Sequence, residues 1–102
     1  MVKKIYSIYD EKSEAFLQPF FMDTNGQAIR AIVDCLSDPQ HNFSRHSADY
    51  TLFLIGQFDD QDATITVNKS SLGNLVEFKS QTNIHEHIDN VVQLPNAPEV
   101  TQ

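Results

Sequence analysis

Glycine is scarce, three residues in 102, and a phosphate-cradling loop needs several so that backbone N–H groups can approach the anion. No GxSxG, HExxH, CxxC or DFG-like element occurs either, so the local signatures of several common enzyme classes are missing. The lone cysteine, Cys35, has no internal partner for a disulfide, and no cation near it in sequence would depress its pKa. It is expected as a small core residue in a reducing compartment. No apolar run approaches the roughly 18 residues that cross a bilayer, and MVKKIYSIYD breaks into strand-like alternation too early for a secretory signal. Positive charge is also short: seven Lys and Arg stand against fourteen Asp and Glu, a net charge of -7. That argues against a protein that wraps nucleic acid by neutralising phosphates.

What is present is organised around one helical stretch, DTNGQAIRAIVDCLSDP, from Asp23 to Pro39. Ile29, Ile32, Val33 and Leu36 fall at the i, i+3, i+4, i+7 spacing of one helix face, with Ala28 and Cys35 at its margins. Thr24 or Asn25 supplies the N-cap, and Asp38-Pro39 stops the helix after about three turns. Burying the four apolar side chains is worth about 1.5–3 kcal/mol each, which exceeds any propensity contribution. The stripe therefore has to dock on a sheet.

Strand patterns flank the helix. Val2–Tyr9 is β-branched and aromatic, DEKSE turns the chain, and AFLQPFFM returns it as a second strand. Pro19 cannot donate to a ladder, so that strand is expected at an edge or with a break. Tyr50–Phe58 is the strongest strand, with Tyr50, Leu52, Leu54 and Phe58 on one face and Phe53 and Ile55 on the other, and so is expected to be central. DDQD then turns into Ala63–Val67, and Leu72–Phe78 is expected as a further short strand. The fold class is α+β: an antiparallel sheet of two β-hairpins with one packed helix, in the order β-β-α-β-β. Residues 1–79 form the domain. Residues 80–102, with Pro95, Pro98, Glu86, Asp89 and Glu99 and no Lys or Arg, form an acidic polar tail expected to be mobile or docked on a partner.

Several residue sets invite function. Phe16, Phe20 and Phe21 could stack bases, although packing under the helix is the commoner use. Gln40–Asp49 reads as a ten-residue polar loop, plugged by Phe43, that carries His41, Arg45 and His46. Lys3, Lys4, Arg45 and His46 are the candidate contacts to nucleic acid. Ile84, Ile88 and Val91 recur on one face of a short helix and are the candidate partner contacts. The acidic DDQD turn lacks the glycine and terminal Glu of a calcium loop, and His85 and His87 lack further ligands, so neither a metal nor a cofactor is expected.

The order IYSIYD, AFLQPFFM, NGQAIRAIVD ending in SDP, then H-x-F-x-R-H and DYTLFLIGQFDD, resembles the small non-structural protein of gokushoviruses, the single-stranded DNA phages of the microvirus group (Microviridae). The likeness runs from about residue 4 to residue 62. It implies a bacteriophage protein of the host cytoplasm that helps single-stranded DNA replication or packaging, with a DNA-binding role ascribed to some members, and it brings no catalytic residues. The leading expectation is a non-enzymatic accessory protein that contacts a replication or capsid protein, with its acidic surface meeting a basic partner. Direct single-stranded DNA binding is the alternative, and a small metal-dependent enzyme using His41 and His46 is the third. Apolar residues on both faces of the best strand also predict self-association as a homodimer.

Overall fold

The structure is a computed structural model that describes residues 1–80; the tail from residue 81, with Ile84, His85, His87, Ile88 and Val91, lies outside the described residues. Its elements are β1 (Val2–Asp10), β2 (Ala15–Phe16), β3 (Phe20–Met22), α1 (Asn25–Leu36), α2 (Asn42–Arg45), β4 (Tyr50–Asp59) and β5 (Thr64–Asn74). The strands form one antiparallel sheet in the order β2-β1-β4-β5, with β3 also paired to β1. The α+β architecture read from the sequence is the one observed.

Pro19 splits the second strand as its missing donor requires, leaving β2 and β3 as two short pieces along β1. The buried Ser7 hydroxyl spans the break by donating to the Leu17 carbonyl at 2.6 Å, and Leu17 N–H returns a 2.7 Å bond to Ile8. Thr24 is the N-cap of α1. Its Oγ1 accepts from Gln27 N–H at 3.2 Å while Gln27 Oε1 accepts from Asp23 N–H at 3.0 Å, a reciprocal arrangement close to a capping box. The buried stripe of α1 is Ala28, Ile32 and Leu36, flanked by the half-buried Ile29 and Val33. Ala28 is thus at the centre of the contact rather than at its margin, because a small side chain lets the helix approach the sheet closely. Tyr6, Ile8, Tyr50 and Leu52 supply the sheet side of this core.

Three local expectations are corrected. The first concerns β4, where Tyr6 pairs with Leu54 but Ile5 with Gly56, leaving Ile55 as a bulge. One extra residue exchanges the faces beyond it. Phe58 therefore joins Phe53 on the face away from α1, and leaves the face of Leu52 and Leu54. The second concerns Leu72–Phe78, which is no separate strand: β5 runs unbroken to Asn74, and residues 75–80 are helical. Asn74 Oδ1 caps this turn by accepting from Val76 N–H at 3.0 Å, and Leu75 and Phe78, one turn apart, enter the core. The third concerns Gln40–Asp49, which is ordered as α2 and a 3-10 turn, Ser47–Asp49. His41 Nδ1 accepts from Phe43 N–H at 3.0 Å, and Lys79 Nζ donates to the Ser44 carbonyl at 2.9 Å. Phe43 does anchor the segment, with its ring 4.8 Å from that of Tyr50.

Candidate functional site

Since α1 covers one face of the sheet, the other face is left to the residues that alternation and the Ile55 bulge place there. Strand register sets Lys3, Ile5, Ser7 and Tyr9 of β1 on it, with Phe21 opposite Ile5, Phe53 opposite Ser7, Phe58 opposite Lys3 and Phe16 opposite Tyr9. From β5 come Ile65, opposite Phe58, Val67, opposite Gly56, and Ser71, opposite Phe53; Lys69 lies between them. Five aromatic rings therefore share one open face.

The rings form two groups. Near the β1–β2 turn, Tyr9 and Phe16 lie 4.9 Å apart, Phe16 and Phe53 lie 5.2 Å apart, and the Lys69 ammonium sits 5.3 Å from the Phe16 ring and 5.7 Å from Phe53. Such a cation over ring faces is held by the ring quadrupoles. Towards the β4–β5 turn, Phe21 and Phe58 meet edge to face at 5.9 Å. Beside them Ile65 and Val67 stand out, 59% and 71% exposed, and Phe21 is 52% exposed. A shallow cleft of about 460 Å³ opens here, lined by Lys3, Phe21, Met22, Asp23, Gln27, Phe58 and Asp60.

Electrostatics distinguish the candidate cations. Lys3 Nζ is 2.7 Å from Asp23 Oδ1, and that hydrogen bond pushes the ammonium pKa up. Lys4, one residue on, projects to the opposite side and lines a smaller cleft with Leu54, Gln57, Thr66 and Asn68. Arg45 and His46 are exposed at the C-terminal end of α2, near the Tyr50 end of the sheet, whereas Lys3 and Lys4 lie towards its Asp59 end. The four candidate nucleic-acid contacts are therefore not brought together. Lys69, which the sequence reading overlooked, is the cation placed against the rings. Its only sequence signal is the alternation Ile65, Val67, Lys69, which shares a face with Phe53 only once the register is known. Packing under the helix is the main expectation for Phe16, Phe20 and Phe21, and only Phe20 packs there, stacked on Tyr6 at 5.6 Å. Phe16 and Phe21 lie on the open face, because the strand register turns them away from α1.

The acids of the two turns have structural employment. Asp10 accepts from Lys12 and Ser13 N–H, and the hydrogen bond from the Ser13 side chain, followed by these two, holds its carboxyl below the usual range. Asp59 and Asp62 accept from Gln61 and Thr64 N–H, each at 3.0 Å. Burial, then the charges of Asp34 and Asp38, pushes the Cys35 thiol up, away from the thiolate a nucleophile needs. Among the described residues no three His, Cys, Asp or Glu side chains gather as metal ligands, and no helix is long and apolar enough to cross a membrane.

No curated protein and no solved structure matches this chain. A family model described as Phage ORF5 protein matches residues 3–78, a span that holds every residue of the open face. The chain belongs to the Phage ORF5 protein family, and is a phage protein.

Proposed function

We propose that this phage protein is a non-enzymatic accessory factor that works in the host bacterial cytoplasm and assists replication or packaging of single-stranded DNA by docking another phage protein on the open face of its sheet. The observation that carries the reading is the exposure of Phe16, Phe21, Ile65 and Val67 together on that face. Aromatic and aliphatic side chains with few charges are what the buried centre of a protein interface contains. A replication or capsid protein of the phage is the partner this reading names, and a single-stranded DNA phage of the gokushovirus kind is supported by the sequence likeness over residues 4–62. The rim is acidic, with Asp10, Glu11 and Glu14 at one turn and Asp59, Asp60 and Asp62 at the other, so a basic margin around an apolar centre is the complementary surface. Tagged protein expressed during infection should recover a replication or capsid protein, and the variant Phe16→Ser/Phe21→Ser should lose it. Recovery of neither by the wild-type chain would sink the reading.

Direct single-stranded DNA binding is the second reading, favoured by the stack of Lys69 over Phe16 and Phe53, since rings with a nearby cation take up unpaired bases. Against it stand the net charge of -7 and the pairing of Lys3 with Asp23. Retention on single-stranded DNA that weakens steeply with salt and is lost in Lys69→Ala would reverse the order of the two readings.

A further inference from the structure

We propose that the outer edge of β5 pairs antiparallel with the same edge of a second copy of this chain, about a two-fold axis through Thr66. Among the described residues β5 pairs on one side only, with β4, and Thr64–Ser71 are all exposed. An edge of that length presents a row of main-chain donors and acceptors that another strand can satisfy.

Thr64–Asn68, TITVN, contains no charge, proline or glycine to guard the edge, and the irregularity in its pairing with β4 begins only beyond Val67. Lys69 follows, but its ammonium is drawn over the rings of its own sheet. The edge is open to strand addition, and the chemistry of the strand points to its own copy as the occupant.

Register decides this. In an antiparallel pair, residues directly opposite share a face, so only registers that keep Ile65 and Val67 on the common open side preserve the apolar pattern. With the axis through Thr66, each Ile65 meets the other copy's Val67, each Thr64 meets Asn68, and Thr66 meets itself. Lys69 falls opposite Ala63 of the second copy, so this register sets no like charges directly against each other. Moving the axis to Val67 sets each Ile65 against a lysine, and moving it to Ile65 runs the ladder into the turn at residues 60–63. A two-fold axis normal to the sheet also leaves both open faces on the same side. One continuous aromatic surface then spans two copies. This assembly goes beyond the docking role proposed above, and its test reads association alone, with no phage partner present.

The test uses the full chain in a Cys35→Ala background. Thr66→Cys should form a disulfide-linked dimer on mild oxidation, because directly opposed antiparallel residues have Cα atoms about 4.5–5.5 Å apart, within disulfide span. Asn68→Cys, offset from its own copy by four residues, should link at least about tenfold more slowly. In analytical ultracentrifugation the wild-type chain should sediment as a concentration-dependent dimer, and Ile65→Lys/Val67→Lys, at two exposed positions, should raise its Kd by about tenfold or more. A wild-type monomer at every concentration overturns the proposal. So does equal linking by Asn68→Cys, or a dimer indifferent to the two lysines.

Discussion

The Tyr6 hydroxyl donates to Asn25 Oδ1 at 2.7 Å, tying the middle of β1 to the first residue of α1. Tyr6 is fully buried, and burial pushes its pKa up; Tyr50 is shifted the same way by burial and by the charges of Asp10 and Asp49. A folded-state pKa above the unfolded value of about 10 means a stabilising contribution that is complete below that pH and lost as pH rises through the folded pKa. Tyr6→Phe should therefore cost about 1 kcal/mol near neutrality, the net worth of one hydrogen bond. It should also flatten the fall in stability above about pH 10. Urea unfolding at neutral and alkaline pH checks both, and a variant as steeply alkali-sensitive as the wild type would contradict the assignment.

Gly56 follows the Ile55 bulge and lies against the backbone of β5. A Cβ there would overlap the Thr66 carbonyl, a backbone group with no rotamer in which to retreat. Gly56→Ala is expected to destabilise the fold by on the order of 3 kcal/mol, near the upper end for overpacking. Gly26, whose added Cβ would meet nothing closer than Thr24 Oγ1 at 3.8 Å, is the control. Gly26→Ala should leave stability unchanged or raise it. Equal denaturation midpoints for the two variants would show that the strands can part without cost.

Phe20 and Phe21 are adjacent in β3 and face opposite ways. Phe20 stacks on Tyr6 within the core, while Phe21 lies on the open face. Phe20→Ala should cost about 2–3 kcal/mol, less than a fully buried phenylalanine because Phe20 is partly exposed. Phe21→Ala should cost under about 1 kcal/mol. Paired chemical denaturation measures the contrast, and a reversed order would invalidate the division of faces.

That division marks how far the residues alone could be read. α1, with its single period of 3.6 and a proline stop, was legible in position and packing, as were β1, β4 and the break at Pro19. In β4 the apolar residues occupy both faces, so its pattern has no phase, and nothing in YTLFLIGQF announces that Ile55 is the extra residue. The placement of Phe58 on the open face follows only from that bulge. LGNLVEF suits a strand as well as a cap followed by a turn, and the Asn74-x-x-Glu77 spacing that favours the helix stands among β-type neighbours. The loop from Gln40 hid its order because His41, an uncommon N-cap, starts α2. Lys69 was silent for a different reason: its contact with Phe16 joins residues 53 apart in sequence, through a register that no local pattern records.

The turn between β4 and β5 holds a strained residue. Ala63 has φ +62°, in the left-handed region, and its N–H donates to the Asp59 carbonyl at 2.8 Å. For a residue with a Cβ that conformation costs about 1–2 kcal/mol relative to the right-handed region, whereas glycine adopts it without steric penalty. Glycine gives part of that gain back because its unfolded chain is more disordered, by about 0.4–1 kcal/mol. Ala63→Gly should therefore stabilise the protein by about 0.5–1 kcal/mol, roughly 3–6 °C in Tm for a domain of this size. Glu14, at φ +57° in the β1–β2 turn, provides a second site with the same geometry. Glu14→Gly should shift Tm in the same direction, and the two gains should add, since the turns lie at opposite ends of the β1–β4 pair. Thermal melts of both variants and of the pair decide it: a loss at either position would mean that the turn does not hold its residue in the left-handed region.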